Sequence, residues 1–126
     1  MTLKNPYFAE EHDMLREQIR RFVENEIVPN GEAWEEDGSV PRELLHKMGE
    51  LGFYGCHIPE EYGGTNLGFL ALALISEEIA RVHSAIRVYI NMQAGPAVTL
   101  LEYGSEEQKQ KHLGGLISGE TVSCFA

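Results

Sequence analysis

Apolar residues recur at spacings of three and four along most of this chain, and glycine and proline mark the breaks. Leu15, Ile19, Phe22, Val23 and Ile27 form a first stripe, with Glu17, Arg20, Arg21, Glu24 and Glu26 on the opposite side. That pattern predicts an amphipathic helix over residues 2–29, ended by Pro29, which cannot extend a helical ladder. Residues 30–40 read as a polar connector whose only tryptophan, Trp34, covers a domain edge. Pro41 suits the first turn of a second helix, with Leu44, Leu45, Met48 and Leu51 as its stripe and Gly52 as its cap. A third helix over 69–82 is apolar nearly all round in its first half, as expected of the central helix, with Glu77, Glu78 and Arg81 emerging toward solvent.

The fourth helix, 84–103, is largely apolar but contains Gly95 and Pro96. Pro96 removes one backbone hydrogen bond and crowds the Met92 carbonyl, so a kink is expected there. Asn91 and Gln93 bring amides into this apolar segment, where an unpaired polar group costs roughly 1–3 kcal/mol. They either face solvent, cap the kink, or join Tyr89, Met92 and Pro96 in lining a pocket.

Gly104 reads as a left-handed helix cap, and Ser105 with Gln108 forms a capping box opening the fifth helix. Leu113, Leu116 and Ile117 are its buried stripe; Ser118-Gly119-Glu120 breaks it, and residues 121–125 turn to β-type composition. The expected fold is therefore all-α: a five-helix up-and-down bundle over 1–119, ending at 120–126 in the start of a β-strand. That strand's partners would lie in a β domain that these residues do not supply. The last six residues are accordingly expected to be disordered or to pair with another copy.

Length and composition fit one domain: 126 residues, 43% hydrophobic and 24% charged. A net charge of −10 argues against nucleic acid or an anionic membrane as partner. Cys56 and Cys124 are too few for a disulfide scaffold, no secretory leader is read, and no apolar run is long enough to span a bilayer, so a cytoplasmic location is expected.

Residue chemistry alone yields no active site. Glu60 and Glu61 adjoin on a loop, where neighbouring carboxylates diverge into solvent. Gly63 and Gly68 have phosphate-loop spacing, but Phe69 and Leu70 occupy the places of the Lys and Ser/Thr. Cys56 and His57 lack a second pair at metal-ligand spacing, so no metal site is expected. His12, His46, His57, His83 and His112 are scattered.

The run GSEEQKQKHLGGLISGE at 104–120, followed by Cys124-Phe125-Ala126, resembles the end of the amino-terminal helical domain of the acyl-CoA dehydrogenase family. Ile58-Pro59-Glu60-Glu61-Tyr62-Gly63-Gly64 and Gly49-Glu50-Leu51-Gly52-Phe53 agree in order and spacing, so the likeness covers essentially the whole chain. Gly114 stands where many members have proline, and Pro96 lies further from Gly104 than is common.

The resemblance implies a FAD-dependent enzyme that oxidises acyl-CoA thioesters to 2-enoyl-CoA. Proton abstraction by a glutamate accompanies hydride transfer to FAD, and an electron-transfer flavoprotein then takes the electrons. It implies a tetramer when full length and places the base in a carboxy-terminal bundle outside this chain. It also implies that Phe125 and Ala126 contact the flavin and that Tyr89, Met92, Gln93 and Pro96 line the acyl-chain pocket. A competing reading is a stand-alone helical module that binds or scaffolds a partner without catalysis. A reading frame continuing from Ala126 into Thr-Glu-Pro decides for the enzyme.

Overall fold

A computed structural model describes residues 6–126; the predicted start of the first helix, residues 2–5, lies outside them. The stripe of Leu15, Ile19 and Phe22 is buried on α1 (Glu10–Phe22). The helix then widens into a π turn, Val23–Ile27, in which the Val28 amide donates to the Val23 carbonyl at 2.9 Å. Val23 and Ile27 both lie in the core.

Residues 30–40 differ from expectation. They contain a seven-residue helix, α2 (Gly31–Asp37), closed by Gly38 at φ +66°. Its polar sequence concealed it, because Trp34 is its one large apolar side chain and packs half-buried against the core. Pro41 stands at the N-cap of α3 (Arg42–Glu50), whose Leu44, Leu45 and Met48 are buried. Gly52, at φ +77°, turns the chain as expected.

The connection from Phe53 onward is buried rather than superficial: Phe53, Tyr54, Cys56, His57 and Ile58 all lie inside. It satisfies its backbone with its own far side. The Thr65 amide donates to Gly55 at 3.1 Å, Asn66 to Ile58 at 3.0 Å and Gly68 to Cys56 at 3.0 Å. A 3₁₀ turn, Glu60–Tyr62, ends at Gly63 with φ +88°. Gly64 passes so close to the Ile58 carbonyl that an added Cβ would meet its oxygen at 2.0 Å.

α4 (Gly68–Ala80) packs on both α1 and α5 (Ser84–Tyr103). α5 in turn packs on α6 (Glu106–Ser118), which also meets α3. Sequential neighbours therefore pair from α4 to α6, whereas α1 and α3 reach across the chain. α4 is central as expected, but Phe69 at its start is 64% exposed. Glu78 departs from expectation in the other direction. It is only 4% exposed and holds α4 to α1 by accepting two Arg20 hydrogen bonds at 3.0 Å. Arg81 at 3.3 Å and Arg16 at 3.4 Å complete a three-guanidinium cluster.

The α6 capping box forms as read: the Gln108 amide donates to Ser105 Oγ at 3.2 Å and the Ser105 amide to Gln108 Oε1 at 2.9 Å. Gly104 is not left-handed; at φ −75° and ψ 150° it leads straight into the Ser105 cap, so no reversal is needed.

The described residues thus hold six α-helices and no strand. Two expectations, five helices and a terminal strand, are corrected. Residues 121–126 are irregular because their hydrogen bonds go to α5 and α6 rather than to a sheet. Within the chain, the Thr121 amide donates to Gly115 at 3.0 Å and the Ser123 amide to Gln93 Oε1 at 2.9 Å.

Candidate functional site

The α5 residues just before Pro96 meet the chain's last segment. Pro96 has no N–H, so the Met92 carbonyl four residues earlier loses its helical donor. The Ser123 hydroxyl donates to that carbonyl instead. Gln93, 2% exposed, is turned inward beside it. Its Nε2 donates to the Leu116 carbonyl at 2.8 Å and the Thr121 carbonyl at 2.6 Å. Its Oε1 accepts from the Ser123 amide at 2.9 Å, and the Ser123 hydroxyl oxygen, whose one proton goes to the Met92 carbonyl, lies 3.0 Å from it. Both N–H groups and the oxygen of the amide therefore have partners, which removes the penalty that an unpaired buried amide would carry. Asn91, by contrast, is exposed.

Beyond Ser123 the ring of Phe125 lies over Gly95: a Cβ there would meet its Cζ at 3.2 Å. The rest of the ring is open, Phe125 being 68% exposed, and Ala126 is exposed beside it. Of the residues expected to act together, Met92, Gln93 and Pro96 share this junction with the tail. Tyr89 is half-buried on the main core and lines a separate groove of about 350 Å³ with Trp34, Val40 and Val88.

A second feature escaped the sequence reading. His57 is buried under Phe69, their ring centroids 5.4 Å apart, and its Nε2 has no hydrogen-bond partner among the described residues. Burial holds its pKa below the ordinary histidine value, with the nearby Ala94 carbonyl working the other way. Burial also pushes the Cys56 thiol up to about 12, so the thiolate a nucleophile needs is scarce near neutrality. The paired carboxylates Glu60 and Glu61 are exposed on the 3₁₀ turn. Tyr62 beside them donates to Glu106 at 2.9 Å, tying that loop to the first turn of α6. Among the described residues no three His, Cys, Asp or Glu side chains are grouped to hold a metal ion, and no helix is long and apolar enough to cross a membrane.

Residues 9–120 match the family model described as acyl-CoA dehydrogenase, N-terminal domain. The chain belongs to the acyl-CoA dehydrogenase family. It is 45% identical over 121 residues to the glutaryl-CoA dehydrogenase of Desulfococcus multivorans, covering 93% of this chain and 31% of that protein. The solved glutaryl-coenzyme A dehydrogenase–glutaryl-CoA complex superposes with a TM-score of 0.90 at 43% identity, over 95% of this chain and 31% of that one. A glutaryl-CoA dehydrogenase from Mycobacterium smegmatis in complex with FADH2 gives a TM-score of 0.86 at 28% identity, over 91% and 30%. The chain therefore spans about a third of the length of these relatives.

Proposed function

We propose that this chain is the amino-terminal helical domain, residues 1–119 with the entry to a β domain at 120–126, of a FAD-dependent acyl-CoA dehydrogenase. The observation that carries the reading is the junction on α5. A segment in the place where the family's flavin-contacting residues begin is pinned at Ser123 and leaves Phe125 and Ala126 exposed just beyond the pin.

These residues fit a flavin. The open side of the Phe125 ring, seated on glycine, offers a planar apolar surface to an isoalloxazine ring. When bound, FAD supplies the acceptor for the two electrons leaving an acyl-CoA thioester. The domain's own part is to seat that ring and to contribute one wall of the acyl cavity. In this reading the wall includes Met92 and Pro96 of α5, while Tyr89, which lines the separate groove with Trp34 and Val40, stands outside it. Gln93 acts behind it, since its amide is spent on the chain itself.

The chain contributes no catalytic base. Glu78 is committed to three guanidinium groups, and Glu60 and Glu61 face solvent on the far loop. Exposed Phe69 and Phe125 suit surfaces covered by further domains or subunits, consistent with a homo-oligomer. An electron-transfer flavoprotein is the proposed oxidant of the reduced enzyme, and a cytoplasmic location is proposed with it.

Anaerobic addition of acyl-CoA thioesters to the full-length protein tests the reading, with glutaryl-CoA tried first because of the 45% identity. The expected result is bleaching of bound flavin and one equivalent of 2-enoyl thioester, with electrons passing to a dye or to electron-transfer flavoprotein. A flavin-loaded protein that no acyl-CoA reduces would defeat it.

A further inference from the structure

We propose that Gln93, acting with Ser123, is a positioning residue for the flavin. It fixes the path of residues 121–126 across α5 at Pro96, and so fixes where the Phe125 ring is presented. The inference rests on the function proposed above and goes further by giving a buried core amide a defined part in cofactor binding.

Three observations converge on it. First, Gln93 joins three pieces of chain that nothing local brings together: the end of α6 through Leu116, the break after it through Thr121, and the tail through Ser123. A residue needed only to fill the core at this place would be apolar. An inward glutamine is stable here because every polar atom is matched, and losing one partner leaves others buried and unpaired.

Second, the Ser123 hydroxyl occupies the acceptor that Pro96 frees at Met92. Pro96 is therefore more than a defect in α5, because it frees the carbonyl on which the tail is hung. The same hydroxyl lies 3.0 Å from Gln93 Oε1, so both anchors act on one residue. Third, Gly95, next to Pro96, is the seat of Phe125, with a Cβ–Cζ distance of only 3.2 Å if it were alanine. The anchor at Ser123 and the seat of Phe125 are two residues apart. Movement at the first is transmitted to the second with little slack.

The test uses the full-length protein and four substitutions, reading the FAD dissociation constant, the visible flavin spectrum and the thermal midpoint of each. Gln93→Met keeps the volume and removes the side chain's hydrogen bonds to Leu116, Thr121 and the Ser123 amide. FAD is expected to bind roughly tenfold more weakly, with a shifted spectrum. Ser123→Ala removes the hydroxyl but keeps the backbone bond, for a loss of about threefold, and Ser123→Thr restores wild-type binding by returning the hydroxyl.

Gly95→Ala separates positioning from mere stability. Alanine favours helix over glycine, so the thermal midpoint should hold or rise while the displaced Phe125 ring weakens FAD binding about threefold. That combination is one that a purely structural role would not produce. Unchanged FAD binding and spectrum in folded Ser123→Ala and Gly95→Ala proteins would overturn the inference, whatever their thermal midpoints. A full-length wild-type protein that binds no flavin would instead overturn the functional reading beneath it.

Discussion

Glu78 shows how one side chain can join two helices that the sequence keeps 58 residues apart. A carboxylate this buried is tolerable only because guanidinium groups surround it; removing it takes the shared acceptor from Arg16, Arg20 and Arg81. Glu78→Ala should lower the unfolding free energy by roughly 2–4 kcal/mol, less than a fully buried pair would lose because Arg20 and Arg81 reach solvent. Urea unfolding of both proteins measures this, and a loss under about 1 kcal/mol would show the cluster to be ornamental. His57 makes a prediction with a sign. Its folded-state pKa lies below its unfolded one, near 6.5, so the unfolded chain binds more protons as pH falls. The contribution is complete above about pH 6.5 and is lost on acidification toward the folded value. His57→Phe should flatten the fall in urea midpoint between pH 7 and pH 5.5, and an unaltered slope would remove His57 from the acid response. Legibility at this scale followed range. The Ser105–Gln108 box could be read because its members are three residues apart. The partners of Glu78 and Gln93 could not, because they are set by packing between helices.

Among the elements, the apolar stripes located α1, α3, α4, α5 and α6, since burial imposes a period that survives any detail of packing. α2 was hidden for the converse reason: seven mostly polar residues, docked through Trp34 and through the Gly31 carbonyl to His83 Nε2 at 3.2 Å, carry almost no period. The tail looked β-like because Thr, Val and Phe favour strands, yet Gln93 and Gly115 took the hydrogen bonds that a neighbouring strand would have used. That Pro96 frees the Met92 carbonyl was foreseeable; the donor that takes it, Ser123, was not. Close helix contacts were also invisible. Gly49 of α3 approaches α6 so nearly that a Cβ would meet the Ser118 carbonyl oxygen at 2.1 Å. Gly49→Ala should therefore destabilise by about 1–3 kcal/mol despite its better helix propensity, because backbone cannot swing aside as a side chain can. Thermal unfolding decides the matter: a midpoint that rises would mean that α3 and α6 separate freely.

At the scale of the whole molecule, the bundle is complete in its core but not on its surface. Two apolar clusters share the interior, one around α1 and α4 and a smaller one of Ile58, Ala97, Leu113 and Leu116. Phe69 and Phe125 remain outside both. Of the candidate site, the residues could be named from the sequence but their setting could not: Met92 and Gln93 bond to the tail, the direction in which Gln93 points is set by a partner 30 residues away, and Tyr89 lines another groove. The central claim is that this domain takes part in flavin chemistry only together with the rest of a longer enzyme. Flavin retention by residues 1–126 and by the full-length protein, prepared side by side with added FAD and desalted, tests it most directly. The account predicts a yellow full-length protein with near-stoichiometric FAD and a colourless domain. A domain that alone keeps stoichiometric FAD, or a full-length protein that keeps none, would contradict it.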